Sequence, residues 1–427
     1  MKNDFINKLS SMKIGKYGDK LLFILALVFL VMAIFRLWGY KPIRKAETPP
    51  IVFTQWWEKD SEIETLEILI EEFESLNSGV KITLNTRSYD DLRRDLFDPG
   101  EGSIVGNEFP GKSFPGDIIA LDPLWVCELL DRGIIENANN PLVSFINVFY
   151  YNIRILRDAG FLRPPKSRGE FLDYARALAA GAGERGCLAI GMNGSRGIYD
   201  DIFPWIWAAG AQLITDGKPS VNNRPVIESL SFLADLNAEG LIAPGALSSN
   251  SQKLDDFVSG RAAFMVAPAS EIGHVKESLG DGFGVTSIPV PDNYAGKSLL
   301  ASAGWTLGVY SPSTHKEEAG LFVDFLAEKA SSLMMGAGAM GAGTMPGSGL
   351  TPASDDLYLK VWDITIAGEL AEDFSGLPWT ELEEAFREEL SAMFGGAMFG
   401  GAIFGERSSP AEAAAAIQKK WEAILSL

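Results

Sequence analysis

The chain has 427 residues, 37 Lys and Arg against 56 Asp and Glu, and a formal net charge of −19. That length holds two or three structural units, and 47% hydrophobic residues supply a core, so disorder is excluded as the general state. The acidity argues against nucleic acid as a partner, and two cysteines with two histidines exclude a disulfide scaffold and a Cys/His zinc site.

The charge is unevenly spread. Residues 1–45 carry nine bases and two acids, a local charge of +7, and the remainder carries 28 bases and 54 acids, or −26. Between the basic flanks runs an unbroken apolar stretch, Leu21 to Phe35. With Arg36 snorkelling and Trp38 and Tyr40 at the interface it reaches about 20 residues, enough to cross a bilayer. Three readings compete: a buried core helix, a signal peptide cleaved after Ala33, and an uncleaved anchor. No polar face marks a core helix, and Ile34 and Phe35 continue the run past the cleavage site. The anchor is therefore favoured, with orientation left open by basic residues on both flanks. Residues 42–50 read as a linker.

Ile51–Trp57 reads as a buried strand, followed by a capping box Ser61-x-x-Glu64 and a helix carrying Ile63, Leu66, Ile70, Phe73 and Leu76. Val80–Leu84 alternates as a second strand, giving a β-α-β unit and hence a parallel sheet. A Gly/Pro-rich loop spans Pro110–Pro115, and Asp117–Leu121 is a third strand. A new block begins near Val148. In it Ser167-x-x-Glu170 caps a helix, Asp201–Leu213 is aromatic and helical, Val226–Leu236 is a helix, and Gly260–Val266 is a buried strand. Thr306–Tyr310 is again a strand, Thr314-x-x-Glu317 caps another helix, and Ser409-Pro410-x-Glu412 opens the last one. Met393-Phe-Gly-Gly-Ala397 repeats as Met398-Phe-Gly-Gly-Ala402. The period of five suits neither strand nor helix, so an apolar Gly-rich loop or frayed helix is expected, with a lipid-contacting loop as the sharper alternative. Leu333–Gly349 has the composition of a mobile connection.

The order of these segments resembles the extracellular solute-binding proteins of sugar ABC transporters, the family that includes maltose-binding protein. The resemblance covers residues 50–427. It rests on Asp117–Trp125, on Phe149–Asn152 with Pro164–Phe171, on Phe257–Met265, and on Ala303–Val309 before a capped helix. It implies an α/β fold of two discontinuous lobes joined by hinge crossings, closing on a ligand and delivering it to a membrane permease. The expected organisation is an anchor and linker at 1–49, lobe 1 at 50–146 and 290–332, and lobe 2 at 147–289 with 333–427 completing it as C-terminal helices. Two stretches depart from the family pattern: the short segment between Asp122 and Tyr150, and Val266–Ser270, which lacks the usual aromatic.

A sugar presents apolar C–H faces and hydroxyl edges, so its site needs aromatic platforms rimmed by polar groups. In open α/β sheets ligands lie beyond the carboxyl ends of strands. Candidate ligand residues are therefore Trp56 and Trp57 after the first strand, with only one of the pair facing the cleft. Asp122 and Trp125 follow the third strand, and Tyr150 with Tyr151 stands at the first crossing, one to contact ligand and one to pack. Asp201 and Trp205 lie in lobe 2, Gly304 and Trp305 at the return, and Trp379 where the family often bears a stacking aromatic. Alternatives stand beside them: core packing for the tryptophans, a helix N-cap for Asp122, and a helix-start staple for Trp379. Trp207, Trp362 and Trp421 read as core, and Glu381, Glu383 and Glu384 as a solvated helix face. No catalytic residue, metal or cofactor is expected: His274 and His315 sit in no catalytic or ligand pattern, and there is no phosphate loop. Cys127 and Cys187 read as buried free thiols, with a disulfide between them as the alternative. The expectation is a monomeric carbohydrate-binding protein at the bacterial inner membrane, its body facing the periplasm or exterior. The alternative is a sensory or adhesive ectodomain on the same fold.

Overall fold

Buried strands such as Ile118–Leu121 and Val143–Asn152 dictate a sheet covered on both faces at its centre. In the computed structural model the described residues are 50–97, 116–139, 141–181, 186–192, 196–243, 250–300, 302–330, 333, 356–394 and 407–426. The apolar run at 21–35, the loop Pro110–Pro115, the stretch following Leu333 and the repeat beyond Phe394 lie outside them. No helix among the described residues is long and apolar enough to cross a membrane.

The strands are β1 (Ile51–Gln55), β2 (Ile82–Thr86), β3 (Ile118–Leu121), β4 (Ile135–Ala138), β5 (Val143–Asn152) and β6 (Leu188–Ala189). They continue as β7 (Ile214–Thr215), β8 (Lys218–Pro219), β9 (Phe264–Pro268), β10 (Phe283–Thr286), β11 (Leu299–Leu300), β12 (Ser302–Tyr310) and β13 (Glu369–Leu370). The main sheet runs β2-β1-β3-β12-β5-β9-β6, with β4 beside β12 and β10 beside β5. β1 is parallel to both β2 and β3, with Ile51 opposite Ile82 and Phe53 opposite Ile118. β12 enters antiparallel between β3 and β5, with Val309 opposite Ile118 and Trp305 opposite Val143.

β5 joins the two halves of this sheet. Its residues Val143–Ile146 pair with β12, and from Asn147 onward it pairs with β9 and then β10. A ten-residue strand buried at nearly every position can serve two sheets at once, because neither face needs solvent. A two-lobed α/β fold is thus built on β5 as the strand shared by both halves. One core, under α1 (Asp60–Leu76) and α10 (Lys316–Glu328), gathers Phe53, Trp57, Phe73, Trp305 and Phe322. The other gathers Phe149, Phe171, Phe203, Trp205, Phe264, Trp379 and Trp421.

The remaining helices are α2 (Tyr89–Phe97), α3 (Val126–Asp131), α4 (Ile153–Asp158), α5 (Arg168–Gly181), α6 (Phe203–Ala208), α7 (Arg224–Ala238), α8 (Asn250–Val258), α9 (Ile272–Leu279), α11 (Asp356–Ala367), α12 (Trp379–Phe394) and α13 (Pro410–Leu425). Two caps differ from their sequence patterns. α1 begins before Ser61: its N-cap is Lys59, whose N–H donates to Glu62 Oε2 at 3.3 Å. α10 has no side-chain cap, because Ser313 Oγ accepts the N–H of His315 instead of Thr314 capping the helix. The Ser409 box forms as written, with Glu412 Oε2 accepting the Ser409 N–H at 2.8 Å. Half of the Ser167 box forms. Ser167 Oγ accepts the Glu170 N–H, while the Glu170 carboxylate turns to Lys166 N–H and Arg163. The strand expected at 260–266 starts later, at Phe264, since Gly260 occupies a left-handed turn (φ +75°) that closes α8. The aromatic helix expected from Asp201 is a π-helical turn, Ile198–Ile202, followed by the single-turn α6.

Candidate functional site

Parallel strands bring their carboxyl ends to one edge. Trp56 follows β1, Tyr89 opens the helix after β2, and Asp122 follows β3, so three side chains distant in sequence converge there. Trp56 meets Tyr89 edge-on at 5.5 Å, and Trp125 lies tilted against both, at 5.7 Å from Trp56 and 4.7 Å from Tyr89. Trp56 and Tyr89 stay partly exposed, while Trp125 is buried beneath them.

Asp122 is buried and fully engaged. Its Oδ1 accepts the Leu124 N–H at 3.0 Å, capping the 3-10 turn Pro123–Trp125, and its Oδ2 accepts the Tyr89 hydroxyl at 2.7 Å. The same Oδ2 accepts Nη1 of Arg196, which comes from the other half of the sheet. Arg196 Nε also donates to Asp200 Oδ2 at 2.9 Å, and its guanidinium lies 5.1 Å from the Tyr199 ring centre. Asp200 Oδ1 accepts Nδ2 of Asn147 at 3.2 Å, the residue at which β5 changes partners. Burial alone would lower the Arg196 pKa, but the flanking Asp122 and Asp200 carboxylates outweigh it and hold the guanidinium well above its ordinary value. Burial and the Asp122 charge push the Tyr89 hydroxyl well up.

A second polar contact spans the halves. Lys59 Nζ, at the head of α1, donates to the Ser270 carbonyl at 2.9 Å and lies 3.6 Å from Glu271, both in the turn after β9. A third joins α12 to α3, where the Thr380 N–H donates to Glu128 Oε1 at 2.7 Å. On α12 itself, Glu381 and Glu384 are exposed, but Glu383 is buried and pairs with Arg387 at 2.8 Å. Burial raises the Glu383 carboxyl to about 7, against the pull of Arg387, Arg93 and Arg196. The expectation of a solvated face at all three glutamates is corrected at that position: one side of α12 packs on the π-helical turn and the 3-10 turn at 123–125.

The other candidate residues lie elsewhere. Trp57 points away from Trp56, as alternation requires, and stacks on Trp305 at 4.5 Å in the core under α1. Trp205 is enclosed by Phe149, Phe171 and Phe232 in the other core. Neither Trp205, Trp305 nor Trp57 offers a ring face to a ligand in this conformation. Tyr150 is buried with its hydroxyl on the Pro268 carbonyl at 2.7 Å, leaving Tyr151 as the half-exposed member of the pair. Asp201 faces the core, where Lys253 Nζ lies 3.0 Å from Oδ1 and also donates to the Val266 carbonyl. A Cβ at Gly304 would come within 2.7 Å of Pro123 Cγ, so this glycine permits close packing beneath the Asp122 turn. Trp379 starts α12 and packs edge-on against Tyr199 and Phe203. Trp207 and Trp421 are buried and Trp362 partly so; Cys127 and Cys187 are free.

Sequence reasoning passed over Tyr89, Arg196, Asp200 and Lys59. Arg196 had one signal: a single base in the Gly/Ser-rich stretch Met192–Gly197, ahead of an aromatic helix. The assembly of aromatic edges, carboxylates and a guanidinium can hold hydroxyl groups and sugar-ring faces by hydrogen bonding and stacking.

The family model for bacterial extracellular solute-binding proteins matches residues 59–332. Among solved structures, the fold is similar to the GacH receptor of Streptomyces glaucescens, studied unliganded and with acarbose (17% identity, 89% of this chain and 99% of that one, TM-score 0.65). It is similar to maltose-bound MalE3 of T. maritima (18% identity, 88% and 99% coverage, TM-score 0.65). It is also similar to a Thermotoga lettingae ABC transporter solute-binding protein bound with α-D-tagatose (16%, 88% and 100%, TM-score 0.67). At such identities the likeness is one of fold. A probable ABC transporter-binding protein of Deinococcus radiodurans is 27% identical over 197 residues, 44% of this chain. The match spans about half the length of that curated relative, 46%.

Proposed function

The chain belongs to the bacterial extracellular solute-binding proteins, and from that premise we propose that it binds a carbohydrate, an oligosaccharide, between its two lobes for an ABC importer. The observation that carries this reading is the convergence of Trp56, Tyr89 and Asp122 at the carboxyl ends of three parallel strands, facing Arg196 and Asp200 across the cleft. Trp56 offers a partly exposed ring to a sugar face, and when the lobes part Asp122 and Asp200 can accept hydrogen bonds from sugar hydroxyls while Arg196 donates one. Lobes joined through β5 close on the ligand, and the closed form is what a permease receives. The ligand leaves unchanged, so no catalysis is assigned. The solved carbohydrate complexes of the same fold support the ligand class. The apolar run at 21–35 supports a tether that keeps the body at the membrane surface, outside the cytoplasm.

Titration calorimetry and tryptophan fluorescence against maltose, maltotriose, longer glucans and monosaccharides test the reading. At least one should bind. Trp56→Ala should then weaken it by about tenfold, the loss of one aromatic stacking contact. A folded protein silent to the whole panel would sink the carbohydrate assignment.

A further inference from the structure

Asn147 stands where β5 leaves β12 for β9, one residue past Ile146, which pairs with Ser302, and opposite Pro268 at the end of β9. Contacts between the halves flank it. On one side its Nδ2 donates to Asp200 Oδ1 at 3.2 Å, and Asp200 holds Arg196, which reaches Asp122. On the other side Pro268 leads into the turn whose Ser270 carbonyl accepts Lys59 Nζ. Asn147 therefore lies at the floor of the cleft, on the strand common to both halves, and is only 2% exposed. The two ends of its amide are held unequally. The Asp200 carboxylate requires a donor, so the amide cannot turn over without setting oxygen against oxygen. Oδ1 is thereby fixed as the free end, and among the described residues no protein group donates to it. A buried amide oxygen that the protein leaves without a donor is costly. Such departures from polar pairing are expected at functional sites.

Resting on the carbohydrate reading of the cleft, we propose that Asn147 is a specificity-determining residue whose Oδ1 accepts a hydrogen bond from one hydroxyl of the bound sugar. Asp200 orients the amide, and Asn147 reads the ligand. A sugar with a hydroxyl at that point satisfies the oxygen. One that lacks the hydroxyl, or carries a methoxy group that only accepts, leaves it buried and unpaired and is rejected. The role also sets an expectation for the protein alone. Leucine has nearly the shape of asparagine and needs no partner. Asp200 would lose one donor but keep Arg196, with Nε at 2.9 Å and Nη2 at 3.4 Å. Exchanging an unpaired polar group for an apolar one of the same shape is nearly neutral or stabilising.

The experiment has two arms, both on the full chain. In the first, urea unfolding of Asn147→Leu without sugar should give a midpoint no lower than that of the wild type. A lowered midpoint, or loss of the fold, would mean that Oδ1 is satisfied inside the protein by a buried water, and would overturn the proposal. In the second, calorimetry compares maltose with its monodeoxy analogues on the wild type, Asn147→Leu and the smaller Asn147→Ser. The wild type should bind one analogue about tenfold more weakly than maltose, the worth of one hydrogen bond. Each variant should bind maltose about tenfold more weakly and no longer distinguish it from that analogue. Losses that simply add for every analogue would show that Asn147 acts only by placing Asp200, and would overturn the contact. Silence toward maltose and the rest of the sugar panel sinks the carbohydrate reading, while the urea midpoint still decides whether the oxygen is kept for a ligand.

Discussion

Asp200 and Asp201 are neighbours on one π-helical turn, and both are buried, yet they belong to different machinery. Asp201 faces inward to Lys253, a pair held entirely within one lobe and anchored to the Val266 carbonyl of β9. Asp200 faces the cleft, where it shares Arg196 with Asp122 of the other lobe. The Lys253 pair lies among elements of one half, and Lys253 is held there by the Val266 carbonyl as well. The Arg196 bridge joins the two halves, so it is the pair that a hinge opening would break. The first pair should therefore act on stability and the second on conformation and binding.

The largest effect expected is on the inward pair. Lys253→Met leaves Asp201 buried without its cation and should cost about 3–5 kcal/mol in urea unfolding, with Lys253→Met/Asp201→Asn recovering much of it. A single variant as stable as wild type would erase the distinction between the two acids. Arg196→Gln should cost less, about 1–3 kcal/mol, since Asp122 keeps Tyr89 and the Leu124 N–H and gains solvent when the lobes part.

The pH dependence sharpens the same contrast. Burial raises Asp201 to about 6 and Glu383 to about 7, both above their ordinary values. A carboxyl raised on folding binds its proton more tightly in the native state, so its stabilising contribution is complete below the unfolded value and disappears as pH climbs through the folded one. These two groups should make the protein more stable toward acetate-buffered, mildly acidic conditions than at alkaline pH. Glu383→Gln should flatten the upper part of that curve in thermal melts, and an unchanged curve would discard Glu383 as its source. The smallest effect belongs to the surface: Arg224→Ala removes an exposed pair with Glu228 and should leave the unfolding midpoint unmoved.

The two tryptophans after β1 show how far the sequence could be read. Alternation along a strand requires Trp56 and Trp57 to part, but not which one meets the cleft. That was decided by Trp305, a residue of the returning strand, which stacks on Trp57 and takes it into the core. Likewise the run Asp117–Trp125 marked Asp122 as the end of a strand. Its partner Arg196 lies 74 residues away, and no local pattern joins the two. The glutamates of α12 look uniformly solvated in sequence, because an amphipathic helix reveals which positions share a face and not what that face will meet.

The sequence by itself determined the elements and their order: apolar runs short enough for covered strands, the caps of Ser167 and Ser409, and the β-α-β start, because these depend on side chains within a few residues of one another. Its resemblance to a known family then named the two-lobed plan. Only the tertiary structure decided which aromatic rings were spent on cores, that β5 serves both halves of the sheet, and that Arg196 closes on Asp122. Those outcomes depend on strand register and on lobes brought together by a shared strand. Both are long-range arrangements, in which a charge finds its partner by position in space.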